Sequence, residues 1–167
     1  FPKEFEVCYF VNSGSEANEL ALRLARAHSK NMGIITPDHG YFGNTTGALQ
    51  ISAYKFNKPN GIGQSDWVEL VDVADDFRGA YRRDDPDRAS KFADLIDGAF
   101  DRLTSKGQGL CGFIAETFPS VAGQIIPPKG YLPKVYKKIR AFGGVCIADE
   151  VQTGLGRLGS HYFGFEY

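Results

Sequence analysis

The sequence predicts an α/β fold, with a mostly parallel central sheet and helices on both of its faces. Three observations carry that expectation. Short apolar runs such as Leu110–Ala115 and Val145–Ala148 are strand-sized, and they alternate with stretches whose apolar residues recur at helical spacing. Those runs are apolar throughout rather than at every second position, which suits strands buried on both sides. No Pro-, Gly- or Ser-rich linker divides the chain, so residues 1–167 read as one domain.

Each element has its own signal. Val7–Val11 is a continuous apolar run, either a strand or the lead-in to the helix that follows. From Ser15 onward, Ala17, Leu20, Ala21, Leu24 and Ala27 fall three and four apart and define one helical face. Gly33–Thr36 is a short strand closed by Pro37, and residues 44–52 form a second helix entered through Gly43-Asn44-Thr45. Residues 55–64, rich in Gly, Asn and Pro, make a surface excursion before the strand Trp67–Val71. The charged segment 72–88 is a loop leading to a helix with Phe92, Ile96, Ala99 and Leu103 on one side. After the strand Leu110–Ala115 comes a helix over 130–142, with Leu132, Val135, Ile139 and Phe142 inward and Pro133 tolerated in its first turn. Val145–Ala148 is the last strand.

Composition excludes several classes of function. Nineteen Lys and Arg stand against twenty Asp and Glu, a formal charge of −1, so there is no basic field for nucleic acid and no polybasic run for a membrane surface. No apolar run approaches the length of a membrane span. The three cysteines, Cys8, Cys111 and Cys146, lie in apolar strand-like runs without a Cys-x-x-Cys pair. That pattern argues against a disulfide framework or a zinc site and for buried free thiols in a cytoplasmic protein. The chain begins at Phe1 and stops at Tyr167 just after an aromatic-rich run, and is expected to be part of a longer polypeptide.

Two segments carry chemistry. Val145-Cys146-Ile147-Ala148-Asp149 delivers a carboxylate at the end of a strand, ahead of the Gly-punctuated loop 150–157. In an α/β sheet that edge is where ligands are held. An acid there suits a buried cationic ring nitrogen, the usual partner arrangement for the pyridinium of pyridoxal phosphate (PLP). Ser13-Gly14-Ser15 opens the first clear helix, and a helix N-terminus with a close-approaching glycine favours a phosphate dianion. Taken alone, that segment reads first as an ordinary N-cap.

Together with Ile125-Ile126-Pro127-Pro128-Lys129-Gly130-Tyr131, the segments 13–19 and 148–157 resemble the class III PLP-dependent aminotransferases of fold type I. The three motifs occur in the family's order and cover most of the chain. The resemblance implies that this is part of the large cofactor-binding domain. It implies that Gly14 and Ser15 hold the cofactor phosphate and that Asp149 pairs with the ring nitrogen. Tyr41, aligned through Tyr41-Phe42-Gly43 with an aromatic-His-Gly triplet, would stack on the ring, with Phe42 where His is usual; plain core packing is the alternative for both aromatics. Val151 would pack on the opposite ring face, and Gln152 would hydrogen-bond the ring hydroxyl oxygen. Glu116 would line the substrate side, unless it serves a structural ion pair. Arg157 reads as structural.

The family's lysine, which tethers the cofactor and moves a proton to and from the substrate, follows the Asp-Glu-x-Gln motif by roughly two to three dozen residues. No lysine of this chain matches it, since Lys129 and Lys134 precede Asp149. The resemblance therefore implies an inactive piece of an active homodimeric parent, which passes nitrogen from a small-molecule amino donor to a 2-oxo acid acceptor. Segments 118–124 and 143–150 look closer to the phospho-lyase branch, which eliminates phosphate and ammonia from phosphorylated amines such as an amino-alcohol phosphate or phosphorylated hydroxylysine. A noncatalytic remnant of the fold is the third reading.

Overall fold

The computed structural model describes residues 2–167. Four parallel strands lie in the order β2-β1-β3-β4: β1 Gly33–Pro37, β2 Val68–Val71, β3 Leu110–Glu116 and β4 Val145–Asp149. The chain runs from β1 outward to β2, then returns across β1 to β3 and on to β4. The winding direction thus reverses between β1 and β3, which is where open α/β sheets leave a crevice at their carboxyl edge.

Five helices cover the sheet: α1 Gly14–Ser29, α2 Thr46–Ile51, α3 Ala53–Phe56, α4 Arg88–Ser105 and α5 Tyr131–Ala141. One face buries Ile34, Val68, Cys111 and Ile114 with Leu22 and Ala25 of α1 and the α2–α3 residues Ile51 and Phe56. The other buries Ile35, Phe113 and Ala115 with Phe92, Ile96 and Leu103 of α4 and Val135 and Ile139 of α5. Side-chain alternation along β3 is broken at Cys111, because Gly33 pairs with Leu110 while Ile34 pairs with Gly112. The bulged residue sends Leu110 and Phe113 to one face and Cys111 and Ile114 to the other. Burial pushes the thiols of Cys111 and Cys146 up to about 11.

Helix α1 starts where it does because Ser13 is extended (φ −159°) and its Oγ accepts from the Glu16 N–H at 3.1 Å, while Glu16 Oε2 accepts from the Asn12 N–H at 2.7 Å. The second helix is cut in two at the buried Ser52, whose Oγ donates to the Ala48 carbonyl at 2.6 Å and accepts the Phe42 N–H at 2.8 Å. Ion pairs tie α4 to its neighbours. Arg102 and Lys106 hold the buried Glu69 of β2 at 2.7 and 2.6 Å, and Lys138 of α5 reaches Asp97 at 2.7 Å.

Three expectations are corrected. Cys8 is an exposed thiol rather than a buried one: of the two readings of Val7–Val11 the lead-in to α1 holds, and the run is exposed, with Phe10 96% exposed. The inward face of α1 is Asn18, Leu22 and Ala25, and Ala17, Leu24 and Ala27 face outward. Both faces repeat at three and four, and the periodicity of small alanines could not say which would meet the sheet. In α5 the fully buried residues are Tyr131, Val135 and Ile139, with Leu132 and Phe142 packed at the margin.

Candidate functional site

At the carboxyl edge of the sheet, a cavity of about 230 Å³ is lined by Gly14, Ser15, Asn18, Tyr41, Phe42, Gly43, Glu116, Ser120, Asp149, Val151 and Gln152. These residues come from the start of α1, the loop after β1 and the ends of β3 and β4. Each of Gly14, Ser15, Tyr41, Glu116, Asp149, Val151 and Gln152, singled out from the sequence, lies on this one surface. No lysine lines it.

One end of the cavity is built to receive an anion. In the first turn of α1 the Glu16 N–H goes to Ser13 Oγ and the Ala17 N–H to the Ser13 carbonyl. The Gly14 and Ser15 N–H groups have no acceptor among the described residues, and they sit at the positive end of a 16-residue helix dipole. Ser15 Oγ accepts the Asn44 N–H at 3.1 Å, which fixes the hydroxyl and leaves its proton to donate. Gly43 makes this possible. It adopts φ +125°, and a Cβ there would collide with the Ser15 hydroxyl. Gly14 is a second close approach: a Cβ at that position would lie 2.9 Å from Val151 Cγ2.

The other end carries a buried carboxylate with no ion-pair partner among the described residues. Asp149 is buried, 9% exposed, and both carboxylate oxygens are held by neutral donors: Oδ1 by the Val151 N–H at 3.0 Å, Oδ2 by Asn18 Nδ2 at 2.8 Å. Among the described residues no Lys, Arg or His forms an ion pair with it. A buried carboxylate without a counter-ion is costly unless a cation joins it. The cavity is therefore bipolar, with anion-seeking N–H groups at one end and a cation-seeking carboxylate at the other.

Between the two ends, Tyr41 stands edge-on to Tyr54 (ring centroids 6.2 Å apart, 85° between planes), with Lys55 Nζ 5.4 Å from its ring centre. Phe42 is core, 2% exposed, and its backbone ties it to Ser52 and Asn18. Glu116 lines the cavity, yet its carboxylate is taken up by the chain itself. Oε1 accepts the Tyr41 N–H at 3.2 Å, and Oε2 accepts the Ser120 N–H and hydroxyl at 3.0 and 2.8 Å. It holds the loop after β1 against the loop after β3. Val151 and Gln152 are exposed at the rim, and Arg157 is exposed with no side-chain partner among the described residues.

Sequence reading missed Asn18, Ser120 and Glu150. Asn18 left a legible signal: it stands four residues after Gly14 and three after Ser15, on the same helical face, as a polar residue among apolar ones. Glu150, the first residue past β4, turns away from Asp149 and the cavity. Its Oε1 accepts from Thr117 Oγ1 at 2.6 Å and the Phe165 N–H at 2.8 Å, and its Oε2 from Thr153 Oγ1 at 2.8 Å and the Gly164 N–H at 2.6 Å. These bonds clamp the loop that carries Val151 and Gln152.

The geometry has counterparts in known proteins. The family model described as aminotransferase class-III matches residues 1–166. A Drosophila melanogaster protein named alanine–glyoxylate aminotransferase 2-like is 47% identical over 99% of this chain and 34% of its own length. Among solved structures, a phospholyase from Arthrobacter in complex with phosphoethanolamine superposes with a TM-score of 0.85 at 36% identity, over 99% of this chain and 38% of that one. An amine transaminase from an uncultivated Pseudomonas species, in its PLP-bound form, gives a TM-score of 0.80 at 25% identity, over 92% of this chain and 36% of that one. The chain spans about a third of the length of the curated relatives it matches.

Proposed function

Because the chain belongs to the class-III aminotransferase family, we propose that it forms the cofactor-holding part of a PLP-dependent aminotransferase, which passes an amino group from an amine or amino acid to a 2-oxo acid. The bipolar cavity is the observation that carries this reading. PLP is a flat molecule with a phosphate at one end and a ring nitrogen that is cationic when protonated, and the cavity offers a complement to each.

The residues present fit the group. Gly14 and Ser15 would take the phosphate through two N–H groups and a hydroxyl. Asp149 would hold the proton on the ring nitrogen, and its charge-assisted bond would contribute on the order of 1.5–3 kcal/mol. Tyr41 and Val151 would flank the ring, and Gln152 would bond its hydroxyl oxygen. Glu116 would act on the substrate side by fixing Tyr41 and Ser120. Bound there, PLP supplies the electron sink that accepts the electron pair left on a substrate carbon when its proton is removed. The lysine that tethers the cofactor would come from a part of the whole protein beyond these residues, so chain 1–167 alone would bind without turnover.

A second reading is a phospho-lyase acting on a phosphorylated amino alcohol, favoured by the likeness to the Arthrobacter phospholyase. Asp149 would serve both reactions alike. The test is direct: the whole protein, loaded with PLP, is given alanine's partner pyruvate with a series of amines, and separately phosphoethanolamine. Alanine formation supports transfer; phosphate and ammonia release supports elimination. Neither reaction across a panel of amino acids and amines with several 2-oxo acids, and of phosphorylated amino alcohols, in a protein that binds PLP, would sink both. The whole protein is also proposed to be a homodimer. Exposed Val7, Tyr9 and Phe10 run directly into the α1 terminus at the cavity, and Leu24 is exposed on the same helix. A monomer by sedimentation velocity would rule this out.

A further inference from the structure

We propose that Asn18 is the positioning residue for Asp149: it aims the carboxylate into the cavity without neutralising it. The inference rests on the reading of Asp149 as partner of a cationic ring nitrogen. Asn18 is 6% exposed and sits one helical turn beyond the N–H groups at the start of α1. Its Nδ2 donates to two acceptors, Asp149 Oδ2 at 2.8 Å and the Phe42 carbonyl at 3.0 Å. Two acceptors on one amide nitrogen consume both of its hydrogens and fix which way the amide faces.

The choice of a neutral donor has a physical consequence. A Lys or Arg in this position would hold the carboxylate equally well but would cancel the charge that draws a cation. Asn18 and the Val151 N–H lock the two oxygens in rotation without bringing a positive charge to the group. Because Asn18 shares a helix with Gly14 and Ser15, α1 also sets the spacing between the anion end and the cation end of the cavity. The Phe42 bond extends the same control to the loop that presents Tyr41 and Gly43.

The test compares PLP with its 1-deaza analogue, in which carbon replaces the ring nitrogen. Both carry the same aldehyde and phosphate, so tethering and phosphate binding cancel in the ratio of their affinities. In the whole protein, Asn18→Ala is expected to reduce the preference for PLP over the analogue roughly tenfold, leaving affinity for the analogue nearly unchanged. Equal losses for both compounds would show that Asn18 only supports the fold, and would overturn the proposal. Asn18→Ser, which keeps a hydroxyl on a shorter side chain, gives the same readout with a smaller loss should the alanine variant not fold; an unchanged preference in it counts equally against the proposal. Asp149→Ala separates the two layers. If it retains the preference of the unaltered protein, the reading of Asp149 itself has failed, whatever Asn18 does.

Discussion

Single atoms decide much of the cavity. Gly43 exists as glycine because its φ of +125° and its contact with Ser15 leave no room for a Cβ. Gly43→Ala is expected to displace Ser15 and weaken PLP binding by tenfold or more (about 1.4 kcal/mol per tenfold), measured by equilibrium reconstitution of the apoprotein. The loss should appear equally with the 1-deaza analogue, because the damage is at the end proposed to hold the phosphate. Glu150 shows the reverse lesson. The adjacent acids Asp149 and Glu150 are two unrelated devices facing opposite ways, one towards the cavity and one clamping a loop.

At the scale of elements, the helices are placed by a few buried contacts that periodicity alone could not rank. Leu22→Ala removes a side chain 1% exposed and is expected to cost about 2–5 kcal/mol in denaturant unfolding. Leu24→Ala, on the face the spacing also favoured, should cost within about 0.5 kcal/mol, and its larger effect should be on self-association measured by sedimentation. The β2–α4 junction adds a pH dependence. Burial alone would raise the Glu69 carboxyl, but hydrogen bonds from Lys106 and Arg102 outweigh it and hold the group below its ordinary value of 4.5. A group lowered on folding stabilises above its unfolded value and loses that contribution as pH falls through the folded one. Urea midpoints should therefore drop below about pH 4.5 more steeply in the unaltered protein than in Glu69→Gln.

For the whole molecule, topology assembles the site. The reversal of winding between β1 and β3 opens the carboxyl edge, and residues separated by more than a hundred positions, such as Asn18 and Asp149, meet there. Among the described residues no lysine lines the resulting cavity. Borohydride reduction of the PLP-loaded whole protein, followed by peptide mapping, is expected to find the cofactor on a lysine outside residues 1–167. A cofactor fixed to Lys55, Lys129 or Lys134 would overturn the proposed arrangement.

The strands and most of the helices were legible because strand ends, helix starts and glycine turns are local events, written in neighbouring residues; Tyr41, Glu116, Val151 and Gln152 were named only through the resemblance of whole motifs. The Asp149 carboxylate at a strand end was legible by itself, whereas Ser13-Gly14-Ser15 alone reads as an ordinary N-cap and gained its meaning from the companion motifs. What the sequence could not decide was anything set by packing between distant segments. The apolar run Val7–Val11 has strand composition but finds no strand to pair with. The face of α1 depends on which side meets Ile34 and Ile114, and Asn18 becomes meaningful only when β4 brings Asp149 within 2.8 Å. Local chemistry specifies what a segment can be, and only the folded chain determines what each side chain touches.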